Sequence, residues 1–354
     1  MNKALIAMSG GVDSSVAAYL TKKAGAECIG VNMRLFDNED AGISREKSCC
    51  SLDDAEDARS VAYRLDIPFY VFNFSGDFKI NVIDRFIAAY ENGETPNPCT
   101  DCNRYIKFDS LFRRAELLGC NRIVTGHYAR VVYENGQYFL KKAADETKDQ
   151  TYMLYTLTQK QLSRIYFPLG ELTKTETRRI AEENGFVTAR KKDSQDICFV
   201  PDGDYQNVIR RLTGKDYPPG NFIDKDGNIL GTHSGIINYT VGQRRGLGIA
   251  FGKPVYVCAK CIKTNEVILG EEKDLYSSEL YAGDVSWTSP EPPAENFRAS
   301  VMIRYRRKAQ PALIKIESDR LHVIFDEPQR AISPGQAAVI YDGDTVLGGG
   351  TILS

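Results

Sequence analysis

Residues 3–20 read KALIAMSGGVDSSVAAYL: an apolar run, a glycine-rich turn and an amphipathic stretch. A chain that starts this way has few folds open to it. The apolar run reads as a buried strand, and the stretch after Gly11 as a helix that packs back onto the same sheet. Gly10 and Gly11 permit positive φ and a close approach of the backbone to whatever sits above the turn. The backbone N–H groups of Gly10, Gly11 and the first helical turn face an anion, and the helix dipole favours its charge. Ser9, Ser14 and Ser15 add hydroxyl donors. Asp13 fits such a site in two ways, as a ligand for Mg²⁺ or as a lock on the loop through backbone N–H groups. The lysine of the usual GxxxxGK(S/T) phosphate loop is absent here and elsewhere in the chain.

The alternation continues. ECIGVNMRLF reads as a second strand, SLDDAEDARSVAYRLDI as a helix with Ser51 as N-cap, and PFYVFNF as a third strand. YIKFDSLFRRAELLGC reads as a helix and NRIVTGHYA as a fourth strand. Strands and helices at this spacing predict an α/β fold with a parallel, doubly wound sheet. Ligands on such sheets bind at the carboxyl ends of strands, where the Ser9 loop, Met33, the Asn73 region and Gly126 fall. After about residue 205 helical periodicity fades. Short alternating segments such as PVYVCAKCIKTNEVILG and ALIKIESDRLHVIFDEP predict antiparallel strands in small barrels or sandwiches.

The 354 residues allow two or three domains, and a composition of 42% hydrophobic and 26% charged residues is that of a globular protein. A net charge of −2 excludes a globally basic nucleic-acid binder, so RNA contacts would need local patches. Arg304, Arg306, Arg307 and Lys308 with Tyr305 interleaved, and Arg244-Arg245, are such patches. They suit phosphate contacts with base stacking, and equally an exposed sheet face. Leu5 to Met8 is far shorter than a signal-peptide core, and no run approaches the roughly 18 apolar residues of a membrane helix. The expectation is a cytoplasmic protein with no membrane partner.

Nine cysteines in such a compartment point to metal, redox or sulfur chemistry rather than a disulfide scaffold. GETPNPCTDCNRYIKF sets Cys99 and Cys102 in a C-x-x-C turn, and KKDSQDICFV supplies Cys198. Both segments read as polar and turn-like, unlike the apolar surroundings of inert cysteines. Lys107, Lys191 and Lys192 are near enough in sequence to favour thiolates. A second C-x-x-C, Cys258 and Cys261, could complete a zinc Cys₄ site with the first pair on spacing alone, but a structural role is the simpler reading. Cys28 and Cys120 read as buried, and the adjacent Cys49 and Cys50 as structural.

SGGVDSS after an apolar strand resembles the signature of the PP-loop ATP pyrophosphatases. These cleave ATP between the α and β phosphates, adenylate a carbonyl oxygen and let a nucleophile expel AMP. With no γ-phosphoryl transfer to stabilise, the missing lysine is no contradiction. Taken in order, SGGVDSS, TPNPCxxCNxxIKF, TGHYA, KDQTYML, DSQDICF, GQRRGLGI and SPGQAAVIY resemble the bacterial tRNA-specific 2-thiouridylase family over essentially the whole chain.

That resemblance implies a PP-loop catalytic domain over residues 1–203, a small central domain over 204–277 and an antiparallel β-barrel over 278–354. It implies ATP, with Mg²⁺, at Ala7, Met8, Ser9, Gly10, Gly11, Val12, Asp13 and Ser14, with Met33 backing adenine and Gly126 also at the nucleotide. The target is the wobble uridine (U34) of the tRNAs for Lys, Glu and Gln. Asn97, Pro98 and Cys99 would face that base, and His127, Lys148, Asp149, Gln150, Arg304, Tyr305 and Gln336 would touch tRNA. Cys198 matches the family's persulfide carrier and Cys102 its partner nucleophile, with a cysteine desulfurase or a sulfur-relay protein as donor. Many members carry Asp where this chain has Cys99. Three thiols, Cys99, Cys102 and Cys198, then allow an alternative: a 4Fe–4S cluster with one open iron that activates sulfide.

An amide-forming PP-loop ligase and a metal-containing RNA-binding module are the competing readings. Pyrophosphate release separates them, being tRNA-dependent, amino-acid-dependent or absent, respectively. If Arg304 meets tRNA, Arg304→Ala weakens tRNA binding across sequences, lowers the salt slope by about 1, and leaves ATP affinity unchanged. Filter binding over a salt series checks this.

Overall fold

The computed structural model describes residues 3–36, 52–193, 197–200, 203–249 and 252–353. Cys49, Cys50, the Ser51 cap and residues 194–196 of the DSQDICF motif lie outside the described residues.

The first unit follows the expected alternation. It runs β1 (Lys3–Ala7), α1 (Val12–Lys23), β2 (Glu27–Arg34), α2 (Leu52–Arg64) and β3 (Phe69–Asn73). Two composite helices follow, each with a π-helical middle. In α3 the segments are Ser75–Phe78, Lys79–Ile83 and Asp84–Glu91. In α4 they are Pro98–Asp101, Cys102–Ser110 and Leu111–Leu117. Then come β4 (Arg122–Val124), a hairpin of β5 (Arg130–Glu134) and β6 (Gln137–Lys141), β7 (Ile165–Tyr166) and α5 (Lys174–Glu183).

Five of these strands form a sheet in the order β3-β2-β1-β4-β7, every neighbouring pair parallel. Alternate residues of β1 point to opposite faces. Ala4 and Ile6 pack with Val16 of α1, Val61 of α2 and Ala181 of α5. Leu5 packs with Phe78 and Phe86 of α3 and Ile106 and Leu111 of α4. Helices therefore cover both faces, which is why KALIA is apolar throughout rather than alternating. The chain moves outward from β1 to β3 and then crosses to β4 on the other side. Strand order thus reverses between β1 and β4, where a crevice opens at the carboxyl ends.

Past residue 203 a helix comes first, α6 (Tyr205–Thr213), against the all-β texture expected there. Asp204 caps it by accepting from the Asn207 N–H, Val208 and Ile209 are buried, and Gly214 ends it at φ +64°. A four-stranded sheet, β10-β11-β8-β9, follows, built from β8 (Gly220–Ile223), β9 (Ile229–His233), β10 (Tyr256–Cys261) and β11 (Glu266–Gly270). Cys258 and Cys261 both lie on β10.

The last unit is a closed antiparallel barrel. Its strands are β12 (Tyr276–Trp287), β13 (Asn296–Met302), β14 (Gln310–Glu317), β15 (Arg320–Arg330), β16 (Ala337–Asp342) and β17 (Thr345–Ile352). They run in the order β12-β15-β14-β13-β16-β17, and β12 pairs with β17 to close the ring. β17 also pairs with β6, at Thr345↔Lys141 and Val346↔Leu140, so the hairpin of the first unit extends the barrel's sheet. No helix among the described residues is long and apolar enough to cross a membrane.

Tyr152, 1% exposed, donates its hydroxyl to the Ala337 carbonyl at 2.9 Å and fastens the first unit to the barrel. Tyr152→Phe removes that donor from a buried carbonyl and lowers stability by about 1–3 kcal/mol. The urea midpoint falls while the slope stays unchanged.

Candidate active site

The glycine-rich loop sits where strand order reverses, between the ends of β1 and β4. Gly10 has φ +77°, and a Cβ there would strike the Asp54 carbonyl. Gly126, just past β4, packs on the other side: its Cβ would stand 2.7 Å from the Asp13 carbonyl carbon and 2.8 Å from the Ser14 nitrogen. The loop is thus pinched between two positions that admit no side chain. It is also bonded to itself. The Ser9 N–H donates to Ser14 Oγ at 3.1 Å, and the Ser14 and Ser15 hydroxyls donate to the Gly11 carbonyl at 3.1 and 2.8 Å. Ser9 is exposed, whereas Ala7, Met8 and Val12 are buried beneath the loop. Met8 gives its N–H to the Val31 carbonyl, and its own carbonyl accepts from Asn32 Nδ2 at 2.9 Å. Met33, half-buried near the end of β2, pairs with Phe72.

Asp13 is held by side chains from elsewhere in the chain. Its carboxylate accepts from Lys174 Nζ at 2.7 and 2.8 Å and from the Tyr128 hydroxyl at 3.0 Å. It locks the loop through side chains rather than backbone N–H groups. Lys174 opens α5, whose cap is a reciprocal Thr173–Glu176 box. A second cation, Lys191, donates to the Gly10 carbonyl at 3.1 Å and to the carboxylates of Asp54 and Asp57. Two lysines from far along the chain thus flank a loop that has none. Lys191 was expected to serve the thiols, and the structure instead sets it against the loop.

Asp193 gathers Lys174 and Lys148 at 2.9 Å and Arg178 at 2.7 Å. Burial alone would raise its pKa, but the bonds from Lys174 and Lys148 outweigh burial and hold it at about 2. The carboxylate is therefore ionised at neutral pH.

Cys99 and Cys102 lie on a helix, not in the expected turn. The Asn97 side chain accepts from the Cys99 N–H at 3.2 Å and Pro98 occupies the first helical position, so α4 starts here. At this spacing the two cysteines share one helical face. Cys99 is half-buried, while Cys102 is only 8% exposed and joins the apolar core, contrary to the polar surroundings expected for it. Cys198 is half-buried next to Phe199, whose ring packs on Phe78 and Phe86. Among the described residues no three Cys, His, Asp or Glu side chains stand close enough to hold a metal ion. Cys99 and Cys102 ride on α4, and Cys198 lies on a separate segment beside Phe199.

His127 is 8% exposed, with Nδ1 2.7 Å from Thr125 Oγ1 and Nε2 3.5 Å from Lys107 Nζ. Burial first, and then the Lys107 charge, push its pKa well below the usual value, so the ring is neutral. Lys148, Asp149 and Gln150 are engaged internally. Lys148 pairs with Asp193, Asp149 accepts from the Ala143 N–H and the Thr151 hydroxyl, and Gln150 Oε1 accepts from the Tyr128 N–H. Arg304 and Tyr305 follow β13, half-buried, with Arg306 over the Tyr305 ring at 5.5 Å. Burial raises the Tyr305 pKa against the opposing bond and charge of Arg306. Gln336 Nε2 donates to the Thr95 carbonyl at 2.6 Å, two residues before Asn97.

A polar cavity of about 250 Å³ opens between α3, the start of α4 and the barrel, lined by Arg85, Asn97, Thr100 and Arg104 among others. Arg104 bridges the two units through Asp284 of β12 at 2.6 Å. Sequence reasoning missed Lys174, Asp193, Arg104 and Asp284. Only the Thr-x-x-Glu box before α5 was there to be read.

A doubly wound sheet with an anion cradle at its switch point, joined to a closed barrel, defines an α/β nucleotide enzyme with appended β domains. Family models agree with that class over nearly the full length. The tRNA methyl transferase HUP domain matches residues 2–202, the tRNA methyl transferase PRC-barrel domain residues 206–271, and the aminomethyltransferase beta-barrel domain residues 277–352. The chain is 50% identical over 356 residues to the tRNA-specific 2-thiouridylase MnmA of Lachnoclostridium phytofermentans, covering 100% of both. It is 50% identical over 354 residues to that of Carboxydothermus hydrogenoformans, covering 99% of this chain and 97% of the relative. Among solved structures, a 4-thiouridine synthetase–RNA complex with bound ATP aligns over 60% of this chain and 50% of its own, with 19% identity and a TM-score of 0.38, too loose a likeness to bear on the site. The chain belongs to the tRNA-specific 2-thiouridylase MnmA family.

Gly126→Ala forces the loop backbone to shift, at a cost of about 1–3 kcal/mol. ATP affinity, read by calorimetry, falls by about tenfold or more, while urea unfolding shows a folded protein.

Proposed function

We propose that this chain thiolates C2 of the wobble uridine (U34) in the tRNAs for Lys, Glu and Gln. ATP lies on the loop from Ala7 to Ser14, with Met33 at adenine, Gly126 beside the phosphates, and Mg²⁺ as the companion of the triphosphate. The C2 oxygen attacks the α-phosphate, pyrophosphate leaves, and C2 becomes electrophilic. Cys198 holds sulfur as a persulfide. The Cys102 thiolate attacks the Cys198 sulfur and displaces hydrosulfide, leaving a Cys102–Cys198 disulfide. Hydrosulfide attacks C2 and AMP departs. An external dithiol supplies the two electrons that reopen the disulfide, and a cysteine desulfurase or sulfur-relay protein reloads Cys198. All of this takes place in the cytoplasm.

The observation that carries this reading is an anion cradle at the sheet's switch point in a member of the 2-thiouridylase family, with a capped helix bearing Cys99 and Cys102 in the same domain. The alternative is the same reaction with a 4Fe–4S cluster on Cys99, Cys102 and Cys198 activating sulfide. Arg304, Tyr305 and Gln336 are the proposed barrel contacts to tRNA. Asn97, Pro98 and Cys99 face the base, and His127, Lys148, Asp149 and Gln150 support the anticodon loop.

Mass spectrometry of nucleosides after reaction tests the route. Cys102→Ala and Cys198→Ala abolish 2-thiouridine, and Cys99→Ala retains it. Loss in all three variants overturns the persulfide route in favour of shared ligation. AMP formation that does not depend on tRNA overturns the proposed function altogether.

A further inference from the structure

One chain of charges runs from the nucleotide loop to the segment that carries Cys198. Lys174 Nζ is shared, 2.7 Å from Asp13 in the loop and 2.9 Å from Asp193. Asp193 also holds Lys148 and Arg178. Arg178 in turn donates to the carbonyls of Ala189 and Lys191, both at 3.0 Å. Lys191 returns to the loop at the Gly10 carbonyl, 3.1 Å away. Residues 189–193 are thereby strapped to the loop at one end and to α5 at the other. On the far side of Cys198, Phe199 is 1% exposed and wedged against the rings of Phe78 and Phe86. Cys198 directly precedes Phe199 and is half-buried.

We infer that Asp193 is a positioning residue that couples phosphate occupancy of the loop, through Lys174, to the placement of Cys198. This rests on the reading that the loop takes ATP. Lys174, Lys148 and Arg178 meet Asp13 and Asp193 in this relay, and Asp145 stands beside them, accepting from the Lys174 backbone N–H at 3.0 Å. A polyphosphate settling on the loop N–H groups arrives beside Asp13 and competes for the Lys174 ammonium, which is directed at Asp13 and Asp193. As Lys174 turns to phosphate, Asp193 keeps only Lys148 and Arg178, and the strap it anchors is rebalanced. Nucleotide binding and Cys198 placement then share one coupling free energy, and each biases the other.

The test uses the full-length protein. Cys198 alkylation by iodoacetamide is followed by peptide mass spectrometry, with and without saturating α,β-methylene-ATP and Mg²⁺. The analogue changes the wild-type rate by about fivefold or more, the lower range of such couplings. Asp193→Asn still binds the analogue but loses the change, and its kcat for thiolation falls with little effect on the KM for ATP. Asp193→Glu restores part of both. A wild-type rate that ignores the bound analogue overturns the coupling, as does an undiminished change in Asp193→Asn. If Asp193→Asn fails to fold, Lys174→Met at saturating analogue is judged by the same criterion. Calorimetry separates the two levels: a wild type that does not bind the analogue refutes the ATP reading itself, whereas binding without a change at Cys198 refutes only the coupling.

Discussion

The contact between the Gly126 backbone and the Asp13–Ser14 peptide is the constraint on which the rest of the site depends. It exists because strand order reverses between β1 and β4, which brings the end of each strand to the same crevice. Nothing larger than hydrogen fits at Gly126 or at Gly10, where the Asp54 carbonyl closes the other side. Within the loop the Ser14 and Ser15 hydroxyls both donate to the Gly11 carbonyl. Gly10 and Gly126 are thus fixed by backbone approaching the loop from its two sides.

How far the sequence reveals this varies with the range of the interaction. The strand–loop–helix start was legible because β1 is apolar over five consecutive residues and α1 follows without a gap. The barrel was legible as alternating short strands, although its closure through β12 and β17, and the annexed β5–β6 hairpin, were not. No local pattern encodes a pairing between residues 140 and 346. The thiol segment misled for a different reason. Its polar composition suggested a turn, yet Asn97 followed by Pro98 is a helix-start signal, and the helix it opens carries Cys102 into the core. The cations at the loop lay beyond reach for the same reason as the hairpin: Lys174 and Lys191 meet Asp13 and Gly10 across more than half the first unit.

Those cations resolve what the missing phosphate-loop lysine means physically. In a GxxxxGK(S/T) loop the lysine sits within the loop it serves. Here the positive charge arrives from α5 and from the strap after it, and it is neutralised by Asp13, Asp54, Asp57 and Asp193. A lysine in the loop can only bind phosphate. A lysine shared between the loop and another segment can also report to that segment, because moving it changes the electrostatic balance at both ends.

The barrel completes the geometry. Arg104 to Asp284, Gln336 to the Thr95 carbonyl and Tyr152 to the Ala337 carbonyl cross from the first unit to the barrel, two of them within a few residues of Cys99 and Cys102. Asp284 adopts φ +47° beside an irregularity in the β12–β17 pairing, an uncommon conformation for a non-glycine residue. In the proposed reaction an activated C2 must meet hydrosulfide before it meets water. Hydrosulfide released in the open would diffuse away, and an exposed adenylated base would hydrolyse. A Cys102 that is 8% exposed, on a helix fastened on one side to the sheet that carries the nucleotide loop and on the other to the barrel, answers both demands. In that proposal the burial of Cys102, which by itself reads as inertness, keeps the released sulfur away from bulk solvent.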